Sequence, residues 1–546
     1  MFDTEWSDQQ KTIFDWFREG TGHLVVRARA GTGKTTTIVQ AILHAPEEKI
    51  LMAAFNKRIQ EELNARLRNN RATAKTLHAL GFMFVKRNWP DVAVDSSGER
   101  AEGLIRLAIW EMFKELYPDA TKPAKIENVE FPDAVVRLGA KILNSARDTA
   151  PFAVTEDEVI DVIYEQDHVP EVYLESQGWT CAVLARLTLK AMELALVRTR
   201  MIDFADMVYL PLRADWVRGT YDLVCVDEAQ DMNIGQLALA MRVCKKGGRI
   251  AVIGDDRQAI YGFRGADSNS LDRLKKELNA QEMGLTTTYR CSLKVVEYAS
   301  RLVPDLQPCA AARPGDISSI NATDLHKQVQ PGDFVLSRTN AALTKACLAL
   351  IRSGVRAKIV GRDIGQRLAN IARKLKAKDV NDFYAKLGAW ARKEIDRAKR
   401  AGRPGRVQLI TDQADTLRAL LFGISNDLKP LFDRIEDMFG DPSVAYVKCS
   451  SVHRIKGLEA ECVYVLQDTL YPSKWSAKGA KGKKNQEEEN IEYVAVTRSK
   501  NLLIWVNGFN PKKGSSAPSP WEDERFQRSW ADEVDEDDEV DLGLSN

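Results

Sequence analysis

No stretch of this 546-residue chain approaches the roughly 20 consecutive apolar residues of a membrane span. Its opening, MFDTEWSDQQ, lacks the basic and apolar segments of a secretory leader. Both absences point to the cytoplasm or nucleoid, or a host-cell cytoplasm if the gene is a phage's, with no membrane partner. Cysteine is sparse: the eight residues, at 181, 225, 244, 291, 309, 347, 449 and 462, form no C-x-x-C pair. That spacing argues against a metal or iron–sulfur site, and apolar surroundings such as Leu223-Val-Cys-Val predict buried free thiols in a reducing compartment. No internal repeat is visible. An excess of one charge is also missing, the net being +1, yet residues 530–546 (WADEVDEDDEVDLGLSN) hold eight acids and no Lys or Arg. A mildly basic body with an acidic tail is compatible with a nucleic-acid partner, and the tail is a candidate for recruiting a protein.

What is present reads as globular protein, with 44% apolar and 28% charged residues and length for roughly two to four domains. Short β-branched runs, each followed by turn residues and a helical pattern, recur in two blocks and predict two parallel α/β units. The first block has Leu24–Val26, Ile50–Ala54, Leu223–Val226 and Ile250–Ile253; the second has Phe334–Leu336, Ala357–Val360, Val463–Leu466 and Leu502–Val506. Between Phe84 and about Met201 the pattern is helical, as in Ala101–Tyr117 and Ala182–Val197, which predicts a helical insertion. A shorter insertion is expected over 369–440, with amphipathic stretches at 379–400 and 416–439 and a break at AGRPGR, 401–406. The stretches 474–490 (KWSAKGAKGKKNQEEEN) and 509–522 (FNPKKGSSAPSPWE) read as a loop and a linker.

The apolar run at 24–26 leads into ARAGTGKTTTIV, residues 28–39. A glycine-rich turn between a buried strand and a helix aims backbone N–H groups at phosphate oxygens, and the helix N-terminus adds positive potential. Ala30, Gly31, Thr32 and Gly33 form the cradle; Lys34 would reach the β- and γ-phosphates, and the Thr35 hydroxyl would hold Mg²⁺. Farther on, the strand-like YDLVCV ends in Asp227 and Glu228. An acid at a strand's carboxyl end can meet that metal, and the next carboxylate can orient and deprotonate an attacking water. A third strand-like run, Ile250–Ile253, opens into Asp255-Asp-Arg-Gln258, with Gln258 placed to sense the γ-phosphate. Tyr261, Phe263 and Arg264 follow, an aromatic and cationic set on which a base could stack.

The segments DEAQD (227–231), GDDRQAIYGFRGAD (254–267), TYRCS (288–292), SSVHRIKGLE (450–459) and EYVAVTRSK (492–500) come in a telling order. In that order and at about that spacing, the chain resembles the superfamily 1 DNA helicases of the UvrD/Rep/PcrA type over residues 1 to about 510. The resemblance implies an α/β fold of two RecA-like parallel-sheet P-loop domains with helical insertions, and ATP bound in the cleft between them. It divides the chain into a first domain of 1–84 and 202–283 with the insertion 85–201. The second domain is 284–368 and 441–510 with the insertion 369–440, followed by a linker and acidic tail at 511–546. Gln10 in WSDQQK matches the adenine-reading glutamine, Tyr289 the aromatic stacked on the base, and Glu459 the ribose-contacting acid. Lys34, Thr35, Asp227, Glu228 and Gln258 come from the first domain, while Arg290 and Arg498 match the arginines that reach the γ-phosphate from the second.

For DNA, the resemblance points to Phe55, Asn56 and Lys57, to Thr76 and His78, to Tyr261, Phe263 and Arg264, and to His453. The implied partners are single-stranded DNA and its junctions with duplex, bound by a monomer or weak oligomer. Three positions depart from the family: Ala28 replaces a glycine, Thr36 stands where many relatives have an arginine near the adenine, and Leu77 stands where an aromatic is usual. FNKRIQEEL followed by TLHALGF looks nearer the branch of F-box DNA helicases and phage relatives. The insertion at 369–440 is short against the regulatory 2B subdomain, which implies weaker self-inhibition. The leading expectation is an ATP-dependent helicase moving 3′→5′, the polarity coming wholly from the resemblance. A translocase that strips proteins from single strands, and an ATP-switched scaffold recruiting a partner through 530–546, are the alternatives.

Overall fold

The computed structural model describes residues 6–508 apart from 68–70, 96, 117–131, 261–269, 339–341, 344, 345, 348, 351, 352, 354, 361, 401–403, 440–444 and 470–482. The chain divides into two compact units, one of residues up to Tyr289 with Asp305–Gln307, the other of Arg290–Pro304 and the residues from Pro308 onward. Each is RecA-like, built on a six-stranded parallel sheet.

In the first unit the strands are β1 (Leu24–Ala28), β2 (Ile50–Ala54), β3 (Ala72–Thr76), β4 (Tyr221–Val226), β5 (Cys244–Gly254) and β6 (Gln281–Leu285), in the spatial order β3-β2-β4-β5-β1-β6. Parallel strands need crossovers that cover both faces, so the central strands are apolar on successive residues. Alternation then sorts those residues between two cores. Leu24, Val26, Met52, Leu223, Cys225 and Ile253 pack with Ile13, Phe17, Ile38 and Ile42 from the helices Asp8–Glu19 and Lys34–His44. Val25, Leu51, Ala53, Val224 and Val252 face the other way, against Leu80, Phe84, Leu212 and Leu239 from the helices Leu77–Asn88, Phe204–Arg213 and Ile234–Arg242.

The helices Glu99–Leu116, Asp133–Thr149, Glu156–Glu165 and Cys181–Val197 build a further core between β3 and β4, sharing Tyr209 and Leu210 with the helix Phe204–Arg213. Inside it, Arg147 is fully buried. Its guanidinium donates to Asp206 at 2.6 Å and Asp203 at 2.7 Å, while Arg100 reaches Asp206 at 3.0 Å.

The second unit orders its strands β7 (Asp316–Asn321), β8 (Phe334–Ser337), β9 (Ala357–Ile359), β10 (Val447–Ser451), β11 (Ala460–Leu466) and β12 (Ser499–Asn507) as β7-β12-β11-β8-β10-β9. Among the described residues, four helices lie between β9 and β10: Arg362–Lys374, Val380–Arg400, Pro404–Leu421 and Lys429–Phe439. The amphipathic stretch expected over 416–439 is therefore two helices. Gly423 at φ 73° and Asn426 at φ 49° turn the chain between them, a conformation no helix continues through. These helices share one core with the sheet, Phe383, Leu387, Leu417 and Leu431 lying in the same cluster as Val335, Ile359 and Val447.

Within the two six-stranded sheets, four strands lie outside the expected apolar runs: ATAKT, QEMGL, DISSIN and VKCSS. The first three form sheet edges, where one neighbour and partial burial suffice, so little hydrophobicity is required of them. All eight cysteines are free, and Cys225, Cys291, Cys347, Cys449 and Cys462 are buried. No helix among the described residues is long and apolar enough to cross a membrane.

Candidate functional site

The motif segments of the first unit leave the carboxyl ends of its strands, where a parallel sheet presents loops and helix N-termini together. After β1, Gly31 and Gly33 adopt φ 74° and 76°, which closes the loop onto the helix Lys34–His44. No side chain caps that helix at Gly33, so its N-terminus remains suited to an anion. Ala28, in place of glycine, is a fully buried strand residue paired with Leu285, a position that accommodates a methyl group. Thr32 is buried and donates its hydroxyl to the Arg29 carbonyl at 2.9 Å. Ala30 is buried beside it.

At the end of β4 the chain turns sharply, and Glu228 takes φ 51° and ψ 42°. A non-glycine residue in the left-handed region costs energy and persists only where its surroundings hold it there. The turn brings five side chains together. The Thr35 hydroxyl donates to Asp227 Oδ2 at 3.2 Å, Lys34 Nζ lies 3.4 Å from Glu228 Oε1, and Gln230 Nε2 donates to Glu228 Oε2 at 2.5 Å. Burial pushes the Asp227 carboxyl up to about 6, reinforced by the adjacent Glu228 charge and opposed by Lys34. Burial also works against the Lys34 ammonium, but Glu228, Asp255 and Asp227 outweigh it and hold its pKa above the ordinary value.

Beyond β5, Asp255 is completely buried and its Oδ2 accepts from Gln258 Nε2 at 2.6 Å. Its backbone N–H donates to Gln230 Oε1 at 3.0 Å. Gln230 therefore bridges the two acidic turns and links Glu228 to the segment carrying Gln258. It stands inside DEAQD, yet nothing in its residue type singles it out.

Gln10, buried on the first helix, donates to Thr37 Oγ1 at 2.9 Å and closes a capping box with Ser7. Thr37 in turn donates to the Gly33 carbonyl at 2.9 Å, which joins Gln10 to the phosphate loop through a residue not expected to matter. Tyr289 is 49% exposed, and its N–H donates to the Gly31 carbonyl at 2.9 Å, so an accessible ring stands beside the loop. Thr36 is exposed on the first turn of the same helix.

In the second unit, Arg290 pairs with Glu459 at 2.5 Å and donates to the Thr497 carbonyl at 3.2 Å; Lys500 reaches the other Glu459 oxygen at 3.0 Å. Burial alone would raise the Glu459 pKa, but the charges of Arg290 and Lys500 hold it below the ordinary carboxylate value. Arg498 is 1% exposed and donates from Nε to the Val494 carbonyl at 3.0 Å and from Nη1 to the Leu458 carbonyl at 3.4 Å.

Of the residues expected to meet DNA, two prove to be helix caps. Asn56 accepts from the Ile59 N–H at 3.0 Å and Thr76 from the Ala79 N–H at 3.2 Å. Phe55 is half-buried against the sheet core, while Lys57 is exposed, 3.9 Å from Glu61. His78 meets the exposed Phe204 edge-on at 6.1 Å, and burial lowers its pKa. Leu77 is a core residue, 2% exposed, which accounts for the missing aromatic there. His453 is half-buried on the short helix Val452–Ile455 in the second unit. Tyr261, Phe263 and Arg264 lie outside the described residues, as do the loop 470–482 and the tail 530–546.

This assembly of motifs coincides with a match to the UvrD/REP helicase N-terminal domain over residues 6–279. The chain belongs to the UvrD/REP helicase family. The UvrD-like helicase C-terminal domain matches residues 357–507 as well. Among curated relatives, the chain is 25% identical to F-box DNA helicase protein 1 of Schizosaccharomyces pombe, over 91% of this chain and 57% of that protein. It is 24% identical to the ATP-dependent DNA helicase UvrD2 of Mycobacterium bovis, over 90% of this chain and 77% of that one. The ATP-dependent DNA helicase PcrA of Leuconostoc citreum is 22% identical over 52% of this chain and 37% of its own length. The chain thus spans little more than half of the yeast relative and about a third of PcrA.

Proposed function

We propose that this UvrD-like chain is an ATP-driven motor on single-stranded DNA that opens duplex while moving 3′→5′. The observation that carries the reading is the cluster of Lys34, Thr35, Asp227 and Glu228, bridged by Gln230 to Asp255 and Gln258. ATP would lie with its phosphates on the loop Ala30–Gly33, its base between Tyr289 and Gln10 with Thr36 nearby, and its ribose toward Glu459. The Thr35 hydroxyl and the Asp227 carboxylate offer the hard oxygen pair that Mg²⁺ prefers. Bound there, Mg²⁺ would neutralise charge on the β- and γ-phosphate oxygens.

The remaining roles belong to side chains. Lys34 carries a charge that its carboxylate neighbours sustain, ready for the phosphates. Glu228, presented by its left-handed turn, aligns the attacking water and accepts its proton. Gln258 reports the γ-phosphate through Asp255. Arg290 and Arg498 supply charge from the second unit, and an arginine delivered in this way accounts for about 10³–10⁵ in rate in other phosphoryl-transfer systems. Both arginines have partners to exchange first: Glu459 for Arg290, backbone carbonyls for Arg498. Loss of the γ-phosphate removes their ligand, which turns hydrolysis into relative motion.

The DNA path would follow Phe55–Lys57, Thr76, His78, the 261–264 segment and His453, with base stacking making the grip independent of sequence. The working division is 1–84 with 202–283, and 284–368 with 441–510, each domain carrying its helical insertion.

The test is ATP hydrolysis without nucleic acid, with single-stranded DNA and with single-stranded RNA, using Glu228→Gln as control, followed by unwinding of duplexes with 3′ or 5′ tails. Hydrolysis stimulated by DNA and unwinding from 3′ tails are expected. Opening only from 5′ tails would reverse the polarity, and hydrolysis indifferent to DNA would remove the motor.

A further inference from the structure

Arg29 occupies the phosphate loop, between Ala28 and Ala30, yet its side chain turns away into a set of carboxylates. It is 9% exposed, with Nη1 3.0 Å from Asp255 and 2.8 Å from Asp256, and Nε 2.9 Å from Asp305. Asp255 is the fully buried acid that accepts from Gln258 and, through its N–H, meets Gln230 and then Glu228. Asp256 is shared with Arg27, which lies 2.9 Å from it and also holds Asp272 and Glu282. Asp305 opens the three residues Asp305–Gln307 that belong to the first unit although the chain on both sides belongs to the second. A single guanidinium thus joins the loop, the turn that bears Gln258, and the point at which the chain returns to the first unit.

We infer that Arg29 is a positioning residue for ATP hydrolysis: it fixes Asp255, and through Asp255 the Gln258 and Glu228 side chains, and makes their placement depend on the Asp305 segment. The inference rests on the ATP-hydrolysis reading above. A buried carboxylate is held in one ionisation state and one rotamer by its charged partner, and deleting one member leaves the other strained and free to reorient. Asp255 has such a partner in Arg29 and spends its remaining oxygen on Gln258, so the orientation of Gln258 is set from behind. The three-pronged contact suits arginine, whose planar fork serves several oxygens at fixed angles, where lysine supplies a point charge. Asp305 is the exposed member of the set, its side chain 45% accessible, and is the one whose contact can change without unpacking the core.

The experiment is steady-state ATP hydrolysis by the full chain at saturating single-stranded DNA, comparing wild type, Arg29→Gln, Arg29→Lys, Asp305→Asn and the double variant Arg29→Gln/Asp305→Asn. Arg29→Gln is expected to lower kcat about ten- to a hundredfold while KM for ATP moves less than about threefold, because the phosphate cradle itself is intact. Asp305→Asn should lower kcat by a smaller factor and add nothing in the double variant; Arg29→Lys should restore part of the rate. A kcat within about twofold of wild type for Arg29→Gln, or a loss confined to KM, overturns the inference, as do independent effects in the double variant. Should Arg29→Gln fail to fold, Asp305→Asn at its half-exposed site decides: an unchanged kcat overturns the link. An active wild type with an indifferent Arg29→Gln removes this inference alone, whereas a wild type without DNA-dependent hydrolysis removes the underlying reading and this with it.

Discussion

Thr35 and Asp227, separated by 192 residues in the chain, meet through a hydrogen bond of 3.2 Å from the threonine hydroxyl to the aspartate. One lies in the first turn of the helix after β1, the other directly follows β4, and β5 lies between those strands in the sheet. Their meeting is a consequence of strand order, and it places Glu228 beside Lys34 at the same edge.

Glu228→Gln would remove the proposed proton acceptor but keep the side-chain shape. DNA-stimulated hydrolysis should fall about 10²–10⁴-fold. Binding of a fluorescent ATP analogue should stay within a few-fold of wild type. A parallel loss of binding would count against the base role.

Gly33→Ala tests the loop's backbone. A Cβ there has room, the nearest atom being Gln10 Nε2 at 3.7 Å, so the cost comes from φ 76° alone. It should destabilise the chain by about 1–2 kcal/mol in urea unfolding and weaken nucleotide binding as the helix start shifts. Unchanged nucleotide affinity would show that the loop adapts.

Gly81→Ala is the contrasting case. A Cβ at Gly81 would overlap the Met207 carbonyl, where the helices Leu77–Asn88 and Phe204–Arg213 approach closely. Helix propensity favours alanine by about 1 kcal/mol, but forcing two packed helices apart costs about 1–3 kcal/mol. A net fall in the unfolding midpoint is expected and, on the proposed DNA path, weaker DNA binding, because His78 rides on the first of these helices and packs against Phe204 of the second. A rise in the midpoint would mean that the helices slide without loss.

Asp148 supplies a pH dependence. Burial pushes its carboxyl up to about 6; the Asp203 charge adds to this, while Arg147 and a hydrogen bond with Asn233 oppose it. The folded chain therefore holds this proton more tightly than the unfolded chain, and this group's contribution to stability falls as pH rises from about 4 through 6. Asp148→Asn should be more stable than wild type at pH 7–8 by about 3 kcal/mol, with most of the gain gone near pH 4. Chemical unfolding across that range measures it, and a gain independent of pH would refute the assignment.

Much of this molecule is written locally. The two blocks of parallel strands are legible because burial on both faces requires uninterrupted apolar residues, and the glycine-rich loop is legible because Gly31 and Gly33 take the positive φ that its closure onto the helix requires. The insertions show through their helical period. The edge strands ATAKT, QEMGL and DISSIN escape such a reading, since a strand with one neighbour needs few apolar side chains. So does the division at 423–426, where two positive-φ residues end a pattern that otherwise continues.

Side-chain partnerships belong to the tertiary structure. Asn56 and Thr76 sit in motif positions yet cap helices, Leu77 fills core where an aromatic contact is usual, and Gln230 joins two acidic turns that are distant in sequence. Arg29 reads as one more residue of a phosphate loop until Asp255, Asp256 and Asp305 close around it. Residue types and their spacing determined by themselves which family of folds this chain enters and which segments follow its strands as motif loops, because those constraints act over a few neighbouring residues. Which charges face one another was decided only when the strand order brought β1, β4 and β5 side by side, because an ion pair depends on distance in space and sequence separation carries no record of it.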